Sequence, residues 1–251
     1  MDDGSSPPMS SYDYSPFVDE RAITHVYMDP ADRPAEGQQI RVYNKCVEEF
    51  GARHKWMGFI DTDEFIEVKG ATKDMSKLPE GGRGEDEPTL HKLLEELEAG
   101  NCKMGQLAVN WLNHNSGGLL DRPEGKGLRE SFTTCIHDHN WIDAGGNVLT
   151  KPFVKTEAFE GMGPIHVADL KEGYQSVGEN GDSVHWIYRE PVTRDKIVVH
   201  HYATRSRCEY DVKLGRGDVL FDKLLRGERY WREMEEADSF VCTDMTEYVP
   251  K

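Results

Sequence analysis

Nothing in this sequence is long and apolar enough to cross a bilayer, which takes about 20 consecutive apolar residues. Its start carries no apolar signal segment either. Basic residues are scarce beside acidic ones: 30 Lys and Arg stand against 46 Asp and Glu, a net charge of −16. That balance argues against a nucleic-acid or anionic-membrane surface. The acids are spread along the chain, as an ordinary solvated surface requires. No close cysteine pair suggests zinc among Cys46, Cys102, Cys135, Cys208 and Cys242, and five cysteines cannot all be bridged to one another. One or two bridges remain open to the chain. There are no internal repeats, and 251 residues suffice for one large domain or two small ones.

The most informative stretch present is residues 54–68, His-Lys-Trp-Met-Gly-Phe-Ile-Asp-Thr-Asp-Glu-Phe-Ile-Glu-Val. Met57, Phe59 and Ile60 read as the apolar run of a strand buried on both faces, and the run stops at Asp61 and Asp63. Carboxylates at the carboxyl end of such a strand lie at the crevice where open α/β sheets bind ligands. Two acids bracketing the small Thr62 suit a hard divalent cation, Mn²⁺ or Mg²⁺, shared with a substrate's phosphates. The plain alternative is a solvated acidic turn between two strands.

Residues 1–19 are rich in Ser, Pro, Asp and Tyr without an apolar period, and are expected to lack fixed structure. Ile40, Tyr43, Val47 and Phe50 predict a helix over 38–50 leading into the acid motif. Residues 70–88 form a Gly- and charge-rich loop, long enough to be a mobile excursion or lid. Leu90, Leu93, Leu94 and Leu97 predict an amphipathic helix over 89–99, stopped by Gly100. A buried strand is expected over 104–112. Further strands are expected at 23–27, 149–156, 164–168, 174–177 and 196–202, and helices at 206–214 and 219–234. The alternation favours a layered α/β domain over residues 20–251, closing in helices at about 206–237.

Residues 54–68, 107–118 and 200–217, in this order and spacing, resemble glycosyltransferase family 92 and its relatives among family 2-like glycosyltransferases. The most specific piece is Lys55-Trp56 followed by Phe59-Ile60-Asp61-Thr62-Asp63-Glu64-Phe65. The resemblance covers roughly residues 38–225. It implies a GT-A fold, a Rossmann-like mixed sheet flanked by helices, and transfer of a hexosyl group, by family habit galactosyl, from a UDP-sugar to a glycan hydroxyl with inversion. Asp61 and Asp63 then bridge Mn²⁺ to the donor diphosphate, which makes the nucleotide a better leaving group. Gln39, Tyr43 and Cys46 fall on the helix that precedes the motif. Asn110-Trp111 and residues 115–118 face the acceptor, where Trp111, Trp141 and Trp186 are candidate platforms for a sugar. Arg205 stands where the family usually has Lys, a cation near phosphate in either case. A further metal ligand is commonly a histidine from the C-terminal half: His201 is the first choice, His166 the second. His200 and His201 point to opposite faces of a strand, so at most one of the two serves. Relatives are usually Golgi membrane proteins with an amino-terminal anchor, which is absent here.

The sequence also departs from the family. Only some forty structured residues precede Asp61, so the first strands of the donor pocket are expected to be missing or the chain to be shortened. Asn113-His114-Asn115 replaces a common aromatic-glycine pair. An inverting transferase needs a carboxylate base, and Glu130, Asp121 and Glu172 are candidates by position alone, the first two preferred. A haloacid-dehalogenase-type phosphatase also places Asp-x-Asp after an apolar strand, but Phe65 stands where that family has Thr or Val. A non-catalytic carbohydrate-binding or scaffold protein with an incomplete donor site is the stronger alternative.

Overall fold

The computed structural model describes residues 6–15, 23–29, 37–74, 76, 84, 86–140, 142, 146–216 and 227–248. The fold is mixed α/β. In chain order its main elements are α1 (Gln38–Phe50), β1 (Trp56–Gly58), β2 (Glu64–Val68), α2 (Leu90–Gly100), β3 (Met104–Asn113), α3 (Leu128–Ser131), β4 (Thr134–Ile136) and β5 (Thr150–Lys155). There follow β6 (Phe159–Met162), β7 (Ala168–Leu170), β8 (Gln175–Val177), β9 (Ser183–Val184), β10 (Ile197–His201), α4 (Arg207–Arg216), α5 (Glu228–Glu236) and β11 (Ser239–Val241). No helix among the described residues is long and apolar enough to cross a membrane.

Seven strands form one curled mixed sheet along the path β1-β5-β3-β10-β2, with β8 paired to β3 and β9 to β8. All ten residues of β3 are buried. Its polar members are satisfied inside: Gln106 donates to Ser176 Oγ and accepts from the Ala168 N–H, while Asn110 accepts from Arg189 Nη1 at 2.7 Å. β1 is antiparallel to β5, β5 to β3, and β2 to β10, whereas β3 and β10 run parallel. It follows that β1, β3 and β10 all end on the same side of the sheet. Residues 59–63 join the two outermost strands of the path, so Asp61 and Asp63 lie across those carboxyl ends. Three backbone hydrogen bonds pin this crossing: Phe59 N to Pro152 O, Glu64 N to Asp61 O, and Tyr202 N to Asp63 O.

Strand alternation divides the core between two helical layers. Phe153, Leu107, Val109, Ile197 and Val199 pack with Leu93, Leu94 and Leu97 of α2. On the other face, Val154 packs with Phe59, Met162, Ile165 and Tyr43, the last from α1. α2 starts where Thr89 Oγ1 accepts from the Lys92 N–H. A separate cluster joins Tyr210 of α4 to Tyr230 and Met234 of α5 and to Ile136.

Several expectations hold and several need correcting. α1 and β3 fall where periodicity predicts, and the strand over 149–156 and that over 196–202 appear as β5 and β10. The strand before Asp61 is not buried on both faces. β1 is a three-residue edge strand, and Ile60 is 40% exposed, because β1 pairs with β5 alone and the chain then leaves the ladder to cross the sheet end. Residues 164–168 are mostly the connection between β6 and β7 rather than a strand, since Gly163-Pro164 turns the chain there. No strand precedes β1 among the described residues, and 23–27 form none. Trp141, residues 219–226 of the last expected helix, most of residues 1–22 and much of the 70–88 loop lie outside the described residues.

Leu94 is 4% exposed and Leu120 is 70% exposed. Leu94→Ala should lower the unfolding free energy by about 2–5 kcal/mol in urea titration, and Leu120→Ala should change it by under about 0.5 kcal/mol. Equal effects would contradict the packing of α2 on the sheet.

Candidate functional site

The crossing segment gathers a dense set of buried and half-buried charges. Asp61 Oδ1 accepts from Gln39 Nε2 at 2.6 Å and from the Tyr43 hydroxyl at 3.2 Å, both from α1. Its Oδ2 accepts from Lys151 Nζ at 2.8 Å. Lys151 sits on β5 with no exposed side-chain surface and also pairs with Glu64 at 3.3 Å. Glu64 in turn accepts from the Asp61 backbone N–H at 2.8 Å. One ammonium therefore holds the crossing segment and β2 to the middle of the sheet.

Asp63 is neutralised from the opposite direction. Arg205 Nη2 lies 3.1 Å and Lys213 Nζ 3.0 Å from its Oδ2. Arg205 has φ 59°, a left-handed backbone that costs a non-glycine residue roughly 1 kcal/mol and that aims its side chain at Asp63. Lys213 reaches in from α4 and also donates to the Ala203 carbonyl. His201, the last residue of β10, interacts electrostatically with both Asp61 and Asp63. Its Nδ1 donates to Asn113 Oδ1 at 2.8 Å, which fixes the ring orientation. The ring packs on Trp111, with centroids 4.1 Å apart, and His166 meets the same indole at 4.9 Å.

These contacts set the protonation states. Burial acts to raise the Asp61 and Asp63 carboxyls, but Lys151 overrides it for Asp61, and His201, Lys213 and Arg205 override it for Asp63. Both stay ionised, Asp63 far below the usual carboxylate range. Glu64 goes the other way: burial, reinforced by Asp61 and Asp63, lifts it to about 7 despite Lys151. The Lys151 ammonium is burial-penalised yet held charged by Glu64 and Asp61. Burial lifts Tyr43 to about 12, so its hydroxyl remains a donor. Three buried polar atoms in this region, Glu64 Oε1, Trp111 Nε1 and Arg205 Nε, have no hydrogen-bond partner. Such orphans are uncommon in a finished interior and mark a place where further polar groups fit.

No protein-family model and no curated protein matches this chain. Its chemistry is therefore read from the site itself.

The fold brings together four residues singled out from sequence: Asp61, Asp63, His201 and Arg205. His166 shares their indole. The two preferred carboxylate bases have local partners. Glu130 accepts from the Gly127 N–H at 2.9 Å at the start of α3, and Asp121 lies beside Cys208 at the start of α4. Trp111 is buried between the two imidazoles, whereas Trp186 is 52% exposed. Lys151, Glu64 and Lys213 escaped the sequence reading. A signal existed for Lys151: it is the lone cation inside the apolar strand Leu149-Thr150-Lys151-Pro152-Phe153-Val154, and unpaired lysines are almost never fully buried.

Lys151→Met leaves two acids facing each other in the interior. It should destabilise the protein by about 3–5 kcal/mol in chemical denaturation, and adding Glu64→Gln should restore part of that loss. A neutral outcome for Lys151→Met would show that the buried ion pairs do not form.

Glu64 supplies a pH test. Its folded-state value of about 7 lies above its unfolded value of 4.5. Between these the folded protein holds the extra proton, so this group's stabilisation is complete below about 4.5 and is lost as pH rises through about 7. Relative to wild type, Glu64→Gln should gain roughly 1–3 kcal/mol between pH 5 and pH 8. A pH-independent difference between the two proteins would rule out the raised value.

Proposed function

We propose that this chain is a GT-A-like, metal-dependent glycosyltransferase that moves a hexosyl group from a UDP-sugar to a glycan hydroxyl. The observation that supports it most is the convergence of Asp61, Asp63 and His201 across the carboxyl ends of β1, β3 and β10, with Arg205 and Lys213 beside them. Ligand sites of open α/β sheets form at such ends.

The donor set fits a divalent cation such as Mn²⁺ or Mg²⁺. Two carboxylates kept ionised and one imidazole whose Nδ1 proton is committed to Asn113 are the ligand types such a cation takes. When bound, the metal would offset the charge of a departing nucleoside diphosphate. Lys151, Gln39 and Tyr43 hold both Asp61 oxygens, fixing the carboxylate plane. Arg205 and Lys213 bring two positive charges to the place where diphosphate oxygens would lie, and exchange Asp63 for phosphate at little electrostatic cost. Trp111 walls the site with its buried indole and offers the unpartnered Nε1–H. The base that takes the acceptor proton belongs to this proposal only as a carboxylate; Glu130 and Asp121 are the positional candidates. A secretory-pathway location follows from the family resemblance alone.

One observation favours a second reading, a non-catalytic sugar-binding relative. Both acids already have protein cations as partners, Lys151 for Asp61 and Arg205 with Lys213 for Asp63. Calorimetric titration of UDP into the chain, with Mn²⁺ and then with EDTA, separates the two. Metal-dependent binding is expected, and it should be abolished by Asp61→Asn and by Asp63→Asn in folded protein. UDP affinity unchanged in both variants would remove the metal assignment. His201→Ala should weaken Mn²⁺ binding more than His166→Ala, and the reverse order would transfer the third ligand to His166.

A further inference from the structure

A second cluster of ligand-type side chains lies on the other face of β10. Among the described residues, His114, His200 and Cys242 form a buried group whose ligand atoms all lie within 4.8 Å of one another. Cys135 lies next to it, joined to Cys242 as a disulfide across a sequence separation of 107 residues. The four come from separate places: His114 follows β3, Cys135 lies in β4, His200 in β10, and Cys242 just beyond β11. Pairing of β4 with β11 and a bridge between His114 and Cys135 bring them into register. Each is at most 6% exposed.

The hydrogen bonding around the two imidazoles is informative. His114 Nδ1 lies 2.8 Å from the Phe132 carbonyl oxygen, and His200 Nε2 lies 3.0 Å from Glu67 Oε2. Both acceptors require the outer nitrogen to carry the proton. The inner nitrogens, His114 Nε2 and His200 Nδ1, face each other at 2.9 Å. If both outer nitrogens are protonated and both rings neutral, this contact sets two lone pairs against each other. It becomes a hydrogen bond only if one of the two fully buried rings takes a second proton, which is costly. A cation between the inner nitrogens removes the conflict. An outer N–H donated to a carbonyl or carboxylate is the usual support of a metal-binding histidine.

We infer that His114 Nε2, His200 Nδ1 and the thiolates of Cys135 and Cys242 form a structural Zn²⁺ site when the Cys135–Cys242 bond is reduced. The ligand set is of the Cys₂His₂ type. His114 Nε2 lies 3.4 Å from Cys135 Sγ and 3.8 Å from Cys242 Sγ. A tetrahedral zinc centre places nitrogen and sulfur roughly 3.6 Å apart. A thiol reductant opens the bond: two equivalents of reductant thiol become one disulfide, and the two electrons and two protons they give up yield two protein thiols. Zinc then binds as the thiols release their two protons. All four positions are filled by protein and the surroundings, Leu112 and Val198, are apolar, so the centre has no open position for a substrate. Tyr202 stacks on His114 at 4.1 Å and fixes its ring plane.

The test uses the full chain, stripped with a chelator and kept either in a thiol reductant or oxidised, then titrated with Co²⁺ and with Zn²⁺. The reduced protein should show thiolate-to-cobalt charge-transfer absorption that saturates at one equivalent, bind one equivalent more zinc than the oxidised protein by elemental analysis, and gain more in melting temperature from zinc. The oxidised protein should show no charge-transfer absorption and should bind one equivalent less zinc. Cys135→Ser and Cys242→Ser should abolish the charge-transfer band and the additional equivalent of zinc, while Cys46→Ser, Cys102→Ser and Asp63→Asn retain both; retention by Asp63→Asn separates this centre from the proposed catalytic metal. The inference is overturned if folded, reduced protein with Cys135 and Cys242 open to alkylation shows neither the charge-transfer band nor the additional equivalent of zinc. It is equally overturned if the bond resists reduction in the folded chain. Because the cobalt spectrum is read on the unaltered sequence, it decides the matter even if the serine variants fail to fold.

Discussion

The ammonium of Lys151 is the interaction on which the acid site depends. A fully buried lysine is tolerable only with its charge compensated, and here compensation comes from Asp61 and Glu64 together. The same pairing fixes where residues 59–63 cross the sheet, because Asp61 cannot move away without leaving the lysine alone in the interior. It also orders the acids by proton affinity: Asp61 and Asp63 remain ionised while Glu64, the most enclosed of the three, is pushed toward neutrality. Four elements therefore meet on one charge: α1 through Gln39 and Tyr43, β5 through Lys151, β2 through Glu64, and the crossing itself through Asp61.

Sheet topology explains why the remaining polar groups converge on the same place. β3 and β10 run parallel and end side by side, so Asn113 and His201 lie opposite each other in register. The hydrogen bond between them orients the imidazole toward the acids. Beyond β10 the chain turns through Arg205 in its left-handed conformation and enters α4, which returns Lys213 to Asp63. Cations thus approach Asp63 from the C-terminal segment and Asp61 from the sheet, so the two acids share His201 but pair with different Lys and Arg side chains although one residue separates them.

Much of this was legible in the sequence where the signal was local. The acid pair after an apolar run, the heptad-like spacing of Leu90, Leu93, Leu94 and Leu97, and the apolar Leu107-Ala108-Val109 of β3 each depend on neighbours a few residues away. The alternation of His200 and His201 to opposite faces follows from strand geometry alone, and the structure has it so. What could not be read depends on pairing between distant segments. Nothing near Lys151 states that Asp61, 90 residues earlier, will neutralise it. Cys135 and Cys242 are adjacent only because β4 and β11 pair. The misplaced strand at 164–168 has a different cause: apolar Ile165 and Val167 alternate with polar neighbours, yet Gly163-Pro164 commits the chain to a connection. Glu130 and Asp121 were placed by order along the chain, which carries no information about which strand end they face.

His200 and His201 also tie two distant chemistries to one mechanical element. Adjacent residues of β10 serve opposite faces, one toward the acids and Trp111, the other toward Glu67, His114 and the cysteine pair. A slip of β10 by a single residue would turn each imidazole to the wrong side, so neither cluster can be retuned by sliding the strand without dismantling the other. Whatever holds the sulfur-lined pocket together, bridge or metal, thereby acts as a clamp on the register of the strand that presents His201 to the carboxylates.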